Sequence, residues 1–144
     1  MLFRSGQLIP ASEIIVVTTP QVAAAEVAER AGRIAHQLKQ HLIGVIENMS
    51  SYFDSELNRE ISLFGSGGGE ETAQRLSTLV GAEVSLVGKI PFDSELRVGG
   101  DSGEPIVWSH PNSRATQEFF SIVDLLAPRK KSLLGVPLGV SPTV

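Results

Sequence analysis

A chain of 144 residues, 42% of them hydrophobic, is long enough for one domain with one buried core. Its formal net charge of −4 argues against an electrostatic nucleic-acid binder. The sequence contains no cysteine, which excludes disulfides, thiolate metal sites and iron–sulfur clusters ligated by this chain's own cysteines.

The first half of the chain predicts a strand–helix–strand unit. Residues 14–18, "IIVVT", form a β-branched apolar run that is typical of a strand buried on both faces. Thr19 and Pro20 then predict a helix N-cap and a first helical position. The helix that follows has one apolar face, formed by Val27, Ala31, Ile34 and Leu38. Residues 42–48, "LIGVIEN", predict a second buried strand, and such units make right-handed parallel crossovers.

The second half predicts further helices and one more main strand. Residues 49–63 are polar and predict a loop, with a short strand at 61–64. A helix is predicted over 70–80, ended near Gly81, with an inward face formed by Ala73, Leu76, Leu79 and Val80. A third strand is predicted over 84–90, and helices over 93–98 and 113–126. Residues 128–144, basic and then Gly/Pro-containing, predict a tail. The predicted class is α/β, with three layers and a mainly parallel sheet.

The stretch "FGSGGG", residues 64–69, looks like a phosphate-binding loop at first sight. Such a loop needs G-x-x-x-x-G-K followed by Ser or Thr, because the lysine reaches the phosphates and the hydroxyl binds magnesium. Here Gly69 is followed by Glu70 and Glu71. Two carboxylates suit the start of a helix but would repel a phosphate. The pattern therefore predicts a sharp turn with positive φ angles that leads into a capped helix.

Other chemical groups give no catalytic or metal site. His36 and His41 are five residues apart and point to different helix faces, and His110 lies beside a proline, so surface positions are predicted for all three. Asp93, Glu95 and Asp101 could do acid–base work, but their spacing favours helix caps. We therefore predict neither catalytic nor metal-binding residues in this chain.

The carboxyl ends of the predicted strands carry the most informative polar residues. In open α/β sheets, ligands gather at these ends. They carry "TTPQ" (residues 18–21), "ENMS" (47–50) and "IPFD" (90–93). The amide of Asn48 offers both a donor and an acceptor, so it could contact the edge of a purine; it could equally close a turn.

Five motifs, taken together and in order, resemble one family. "VVTTPQ", "GVIENMS", "FGSGGG", "GKIPFD" and "DSGEP" resemble the Mrp/ApbC-type ATPases, iron–sulfur cluster carriers in the MinD-like P-loop group. The resemblance covers about residues 7–120 and is closest to actinobacterial members. It implies a homodimeric carrier that uses ATP and Mg²⁺, binds a bridging 4Fe-4S cluster and passes it to apoproteins. A cytoplasmic location is the default expectation, because residues 1–13 lack the long apolar core of a signal peptide.

The resemblance also implies site residues. Asn48 would match the asparagine that contacts adenine, and Pro91, Phe92 and Asp93 would match the loop that flanks the base. Gln21 would lie near the edge of the nucleotide that faces the dimer. No partner that is a nucleic acid or a membrane is implied, and no run of about 18 apolar residues is present to cross a bilayer.

The sequence departs from the family pattern in two places. The glycine-rich lysine loop, the switch I aspartate and the D-x-P-P-G-T-G-D segment are absent. Residues 1–127 are therefore expected to form the C-terminal portion of a P-loop NTPase domain that lacks the P-loop strand and does not hydrolyse ATP alone. Where many members have C-x-x-C, residues 51–61 supply Asp, Ser, Glu and Asn, which are poor cluster ligands.

Three expectations remain open at this point. Strand edges left bare by a missing central strand would make the chain self-associate or dimerise. Alternatively, the chain could be part of a MinD- or ParA-like positioning ATPase. It could also be a non-catalytic interaction module that dimerises with an intact homologue.

Overall fold

The computed structural model describes residues 13–127, which form five strands and five helices. The strands are β1 (Glu13–Thr18), β2 (His41–Asn48), β3 (Tyr52–Asp54), β4 (Arg59–Ile61) and β5 (Leu86–Ile90). The helices are α1 (Val22–Gln37), α2 (Gly68–Val80), α3 (Ser94–Ser102), α4 (Ile106–Ser109) and α5 (Arg114–Leu126). The predicted tail, residues 128–144, lies outside the described residues.

The main sheet is parallel and has the order β1-β2-β5, so β2 is its central strand. In the register, Thr18 of β1 pairs with Glu47 of β2, and Asn48 of β2 pairs with Ile90 of β5. The strands β3 and β4 form a separate antiparallel hairpin. The predicted α/β class with a parallel sheet is therefore confirmed.

Two hydrophobic clusters lie on opposite faces of this sheet. Val45 packs with α1 and α2, in a cluster that also contains the fully buried Leu76. The next residue, Ile46, belongs to the other cluster, where Ile122 of α5 packs against Ile90. Because consecutive side chains of a strand point to opposite faces, helices cover the sheet on both sides. The three layers expected from the sequence are present.

The prediction that β1 is buried on both faces is wrong for this structure. Val16 and Thr18 are only 5% exposed, but Val17 is 60% exposed and Ile15 is 36% exposed. The reason is the position of β1 at the sheet edge: α1 and α2 cover one face, whereas the cluster under α5 contains residues of β2 and β5 and none of β1. A strand whose sequence is typical of burial on both faces thus has one open face.

Helix α1 also differs from its prediction. It begins at Val22 with Gln21 as the N-cap, rather than with Thr19 as the N-cap and Pro20 as the first helical residue, and Pro20 is buried ahead of the helix. Its buried face is made of small residues, Ala25, Ala28, Gly32 and Ala35, whereas Val27 of the predicted apolar face is 67% exposed. Small residues face inward because α1 packs closely on α2: a Cβ at Gly32 would collide with the side chain of Leu76.

The loop region contains a hairpin that the sequence did not reveal. A strand was predicted at 61–64, but the strand ends at Ile61 and pairs with Tyr52–Asp54. The Oδ1 atom of Asp54 accepts hydrogen bonds from the backbone of Glu56 and Leu57, which closes the turn. Hydrogen bonds between a side chain and the nearby backbone compete with the hydrogen bonds that would extend a strand.

The remaining boundaries differ by a few residues. Helix α2 starts at Gly68, two residues before its predicted start. Strand β5 starts at Leu86 rather than at residue 84, because the Val84 N–H donates to Ser77 Oγ instead of pairing in the sheet. Helix α3 continues to Ser102, and α4 was not predicted. The inward face predicted for α2 is confirmed, since Ala73 and Leu76 are buried and Leu79 and Val80 pack on the same cluster. Within the described residues, none of the helices has both the length and the apolar character to cross a bilayer.

Candidate functional site

The segments that follow β1, β2 and β5 lie side by side at one edge of the sheet. The strand register places Asn48 next to Ile90, and two backbone hydrogen bonds extend this contact. The Ser50 N–H donates to the Ile90 carbonyl at 3.0 Å, and the Phe92 N–H donates to the Ser51 carbonyl at 2.6 Å. In a parallel sheet this carboxyl edge is the usual place for a ligand.

Asn48 makes a backbone contact through its side-chain oxygen. Its Oδ1 atom accepts a hydrogen bond from the Met49 N–H at 2.9 Å, and Met49 has a left-handed φ of 57°. The side chain of Asn48 thus contacts the backbone of the bend that follows β2. The Nδ2 donor is not used in that contact, and Asn48 lines a groove together with Thr18 and Thr19. The contact with a purine stays a prediction.

Pro91, Phe92 and Asp93 lie on the other side of the end of β2. They line a small cavity of about 170 Å³, whose other walls are Tyr52, Phe53, Ser94 and Arg114. The ring of Phe92 meets that of Tyr52 edge to face at 6.3 Å between centroids. Asp93 is the N-cap of α3, as predicted, and its Oδ1 accepts from the Glu95 N–H at 2.8 Å. Asn48 pairs in register with Ile90, the residue before Pro91, but Asn48 and Pro91 line different cavities.

Gln21 is exposed and lies at the start of α1. Its Oε1 accepts a hydrogen bond from Thr19 Oγ1 at 3.2 Å. Because Thr19 lines the groove together with Asn48, Gln21 lies near the same end of the groove. The structure therefore brings Gln21 and Asn48 to one side of the edge, and Pro91 to Asp93 to the other.

A buried carboxylate lies at the start of the helix that follows the glycine-rich turn. Gly65 and Gly67 have φ angles of 89° and 88°, which confirms the predicted turn. The N-terminus of α2 is already filled by Glu47, whose Oε2 accepts from the Gly69 N–H at 2.6 Å. Glu47 is 1% exposed. A buried carboxylate occupies the position where the helix dipole would attract a phosphate.

Lys89 partly balances the charge of Glu47. Its Nζ lies 3.7 Å from Glu47 Oε1 and 2.6 Å from Glu70 Oε1. The hydrogen bond to Lys89 lowers the pKa of Glu70, and the bond to Glu70, aided by the charge of Glu47, raises the pKa of Lys89. Sequence reasoning missed this group, although a glutamate inside the apolar run "LIGVIEN" signals a buried charge that needs a partner.

Arg114 holds the β3–β4 hairpin against α5. Its Nη1 lies 2.9 Å from Glu60 Oε1, and its guanidinium lies 3.6 Å from the centre of the Phe53 ring. Arg114 and Glu60 also border a polar cleft of about 460 Å³, next to Lys89. No sequence pattern could have joined Glu60 and Arg114, because 54 positions separate them.

Potential metal ligands lie apart from one another among the described residues. No three of their His, Cys, Asp and Glu side chains group so that they could hold a metal ion. His36, His41 and His110 are exposed, as predicted. The hairpin offers carboxylates and hydroxyls, and the whole sequence lacks thiols, so a thiolate-ligated cluster does not fit this chain's own residues.

Comparisons with known proteins gave consistent matches. A family model described as ParA, NUBPL iron-transfer P-loop NTPase, matches residues 3–127. The iron–sulfur cluster carrier protein of Mycobacterium tuberculosis (strain H37Rv) is 52% identical over 138 residues, which are 96% of this chain and 36% of the relative. The carrier protein of Synechocystis is 36% identical over 122 residues, 84% of this chain and 33% of the relative. The chain thus spans about a third of the length of these relatives.

Solved structures show the same fold. The septum site-determining protein MinD from Pyrococcus horikoshii, complexed with Mg-ADP, superposes with a TM-score of 0.59 at 21% identity, over 97% of this chain and 49% of that protein. A nucleotide-binding protein from Archaeoglobus fulgidus, in complex with ADP, superposes with a TM-score of 0.51 at 30% identity, over 74% and 40% of the two chains.

Proposed function

The chain belongs to the ParA family of NUBPL-type iron-transfer P-loop NTPases, and from this premise we propose that it forms the base-binding side of a nucleotide site in an iron–sulfur cluster carrier. The observation that supports the proposal best is the pairing of Asn48 with Ile90. This pairing places Asn48 and the segment that begins with Pro91 at the same carboxyl edge of a parallel sheet, where nucleotides bind in folds of this kind.

The chemistry of this edge suits a purine. The Nδ2 group of Asn48 can donate to a ring nitrogen while Oδ1 keeps its bond to the Met49 N–H. Pro91 and Phe92 supply apolar surface in the neighbouring cavity, on the other side of the end of β2, and Gln21 supplies a second amide beside Thr19 at the end of the groove. The Archaeoglobus fulgidus relative, at 30% identity, was solved with ADP, which agrees with a nucleotide as the ligand.

The phosphate side of the site does not come from this chain. The sequence contains no G-x-x-x-x-G-K motif, and Glu47 fills the N-terminus of α2. Phosphates and Mg²⁺ would then be held by residues outside this sequence. We therefore propose that the chain alone binds the base weakly, without Mg²⁺, and does not hydrolyse ATP.

The cluster is the cargo of the proposed carrier, and its ligands also lie elsewhere. With no cysteine, this chain contributes no thiolate to a 4Fe-4S cluster. The proposed activity of the complete assembly is ATP-dependent transfer of a cluster to apoproteins by a homodimer. The contribution of this chain to it is the base-binding edge and the fold that positions it.

A titration with a fluorescent ATP analogue, competed by adenosine, tests the proposal. Asn48→Asp keeps an oxygen for the Met49 N–H and removes the Nδ2 donor. Losing that hydrogen bond should weaken binding about tenfold, equivalent to about 1.4 kcal/mol, without lowering the melting temperature. Asn112→Asp, in the exposed loop before α5, is the matched control and should leave binding unchanged. No binding at millimolar analogue, or equal binding by Asn48→Asp, would refute a base site at Asn48.

A further inference from the structure

The polar cleft between the β3–β4 hairpin, the end of β2 and the start of α5 has an unbalanced charge. Its volume is about 460 Å³, within the range of about 300–1,000 Å³ that is typical of small-ligand sites. The cleft shares only Pro91 and Arg114 with the cavity on the proposed base-binding side, so it is a separate space. Its charged wall residues are three glutamates and two cations, namely Glu47, Glu60, Glu118, Lys89 and Arg114.

Arg114 pairs with Glu60 and leaves Glu118 without a counter-charge in the described part of the chain. Glu118 follows Arg114 by four residues on α5, so both side chains lie on one helix face, where opposite charges commonly pair. The guanidinium instead lies 2.9 Å from Glu60 Oε1 and over the Phe53 ring. Within residues 13–127, the half-buried side chain of Glu118 makes neither an ion pair nor a hydrogen bond. Its carboxylate therefore lines the cleft as a surplus negative charge.

Glu47 gives a second and independent indication of an occupant. Its side chain is almost fully buried in the cleft wall, and its Oε2 atom is bonded to the Gly69 N–H. Among the described residues, the cation next to Oε1 is Lys89 at 3.7 Å, and the Nζ of Lys89 lies closer, at 2.6 Å, to Glu70. A charged N–H donor normally approaches a carboxylate oxygen to about 2.7–2.9 Å, and a buried carboxylate is costly without such a donor. The Oε1 atom thus has room for a closer donor from the cleft.

Serine hydroxyls complete the polar wall and indicate which group fits. The cleft is lined by Ser50, Ser51, Ser62 and Ser66. None of these hydroxyls is hydrogen-bonded to another residue that the structure describes, so all four can accept. An ammonium has three donors, no acceptor and the single positive charge that would balance the wall. An anionic ligand would instead meet the surplus carboxylates of Glu47 and Glu118 at close range.

We propose that this cleft binds a primary alkylammonium group between Glu47 and Glu118. The ammonium donates to Glu47 Oε1, to the carboxylate of Glu118 and to one serine hydroxyl. Two sources carry this chemistry: the side chain of a lysine in a partner polypeptide, and a free diamine. The inference does not rest on the proposed function, because neither Asn48 nor a nucleotide takes part in the binding.

A titration of the whole chain, followed by backbone amide chemical shifts at low ionic strength, tests both sources. The probes are putrescine, a free diamine, and the blocked peptide acetyl-Gly-Lys-Gly-amide. Butanediol and acetyl-Gly-Gln-Gly-amide are their uncharged counterparts. We expect saturable shifts at the amides of Ser50, Ser66 and Gln117, which line the cleft, with the charged probes only. Tighter binding of the peptide would identify a lysine side chain as the source, and tighter binding of putrescine would identify a free amine.

Glu118→Gln tests the surplus carboxylate at nearly constant volume. Because Glu118 has no partner within residues 13–127, the melting temperature should not change. Binding of both charged probes should weaken at least about fivefold, since a hydrogen bond to a charged group is lost in a partly enclosed cleft. Asp124→Asn, the matched control, changes the net charge equally at an exposed position of α5 outside the cleft, and it should leave binding unchanged. Glu47→Gln, measured well below its melting temperature, should also weaken binding.

Three results would each overturn the ammonium site. They are the lack of saturable shifts at millimolar probe, equal shifts with the uncharged counterparts, and equal weakening by Glu118→Gln and Asp124→Asn, which would show only an effect of net charge. Adenosine titrated against the same variants keeps this test distinct from that of the proposed function. Adenosine binding without ammonium binding would refute the cleft site alone, and ammonium binding without adenosine binding would refute the base site alone.

Discussion

The buried carboxylate of Glu47 links the N-terminus of α2 to the sheet. Its Oε2 accepts from the Gly69 N–H at 2.6 Å, and its side chain is fully enclosed between β2, α2 and β5. Glu47→Ala removes a hydrogen bond to a charged group, worth about 1.5–3 kcal/mol, and leaves a buried N–H without an acceptor. Together with the space left behind, we expect a loss of about 3 kcal/mol in the free energy of unfolding.

Glu47→Gln separates the charge from the hydrogen bond. The amide oxygen can still accept from Gly69, whereas the interactions with the helix dipole and with Lys89 are lost. We expect a loss of about 1 kcal/mol for this substitution. For a domain of this size, about 4 °C of melting temperature corresponds to 1 kcal/mol. The expected decreases are therefore about 12 °C for alanine and about 4 °C for glutamine.

Urea denaturation followed by circular dichroism measures both losses. Glu26→Ala, at an exposed position of α1, is the control and should change stability by less than about 0.5 kcal/mol. A decrease of less than about 1 kcal/mol in the free energy of unfolding for Glu47→Ala would contradict this role of Glu47 at the start of α2. Equal decreases for Glu47→Ala and Glu47→Gln would also contradict it.

Three further substitutions test other contacts. Gly68→Ala should lower the free energy of unfolding by at least about 2 kcal/mol in thermal melts, because its Cβ would lie 2.5 Å from the carbonyl oxygens that precede α1. Gly100→Ala should be neutral or slightly stabilising, because its Cβ would have nothing within 4 Å. Equal effects of the two substitutions would contradict the close packing at Gly68. Glu70→Gln should cost up to about 1 kcal/mol at pH 7. Because Lys89 lowers the pKa of Glu70, this difference should be present above about pH 4.3 and vanish as the pH falls below it; a difference that persists at pH 2 would point to another cause. Arg114→Ala should make proteolysis of the β3–β4 hairpin several-fold faster, since it removes both the ion pair and the ring contact; an unchanged cleavage rate would show that other contacts hold the hairpin.

The sequence predicts the elements of the sheet because their signals are local. Runs of β-branched residues gave β1 and β2, and helical spacing gave α1, α2 and α5, with end positions wrong by a few residues. The turn at Gly65 and Gly67 followed from the need for positive φ angles. The resemblance read from five short motifs is confirmed by the family match over residues 3–127.

The errors concern contacts between distant parts of the chain. The buried face of α1 is the one with Gly32, because only small residues allow the close approach of Leu76, and no local pattern reveals that approach. The open face of β1 depends on which element lies beyond the sheet edge. In the candidate site, the polar residues at the strand ends were predictable, whereas the links from Glu47 to Gly69 and from Arg114 to Glu60 join residues far apart in sequence.

The central position of β2 also has a consequence for the order of folding. The pair of Val16 and Val45 closes over about 30 residues, whereas Ile46 and Gly88 are about 40 residues apart. Because shorter closures lose less chain entropy, we expect the β1–α1–β2 crossover to form first and β5 to join it later. Amide hydrogen exchange should then be slowest in the middle of β2, which is hydrogen-bonded on both sides, and fastest in the β3–β4 hairpin.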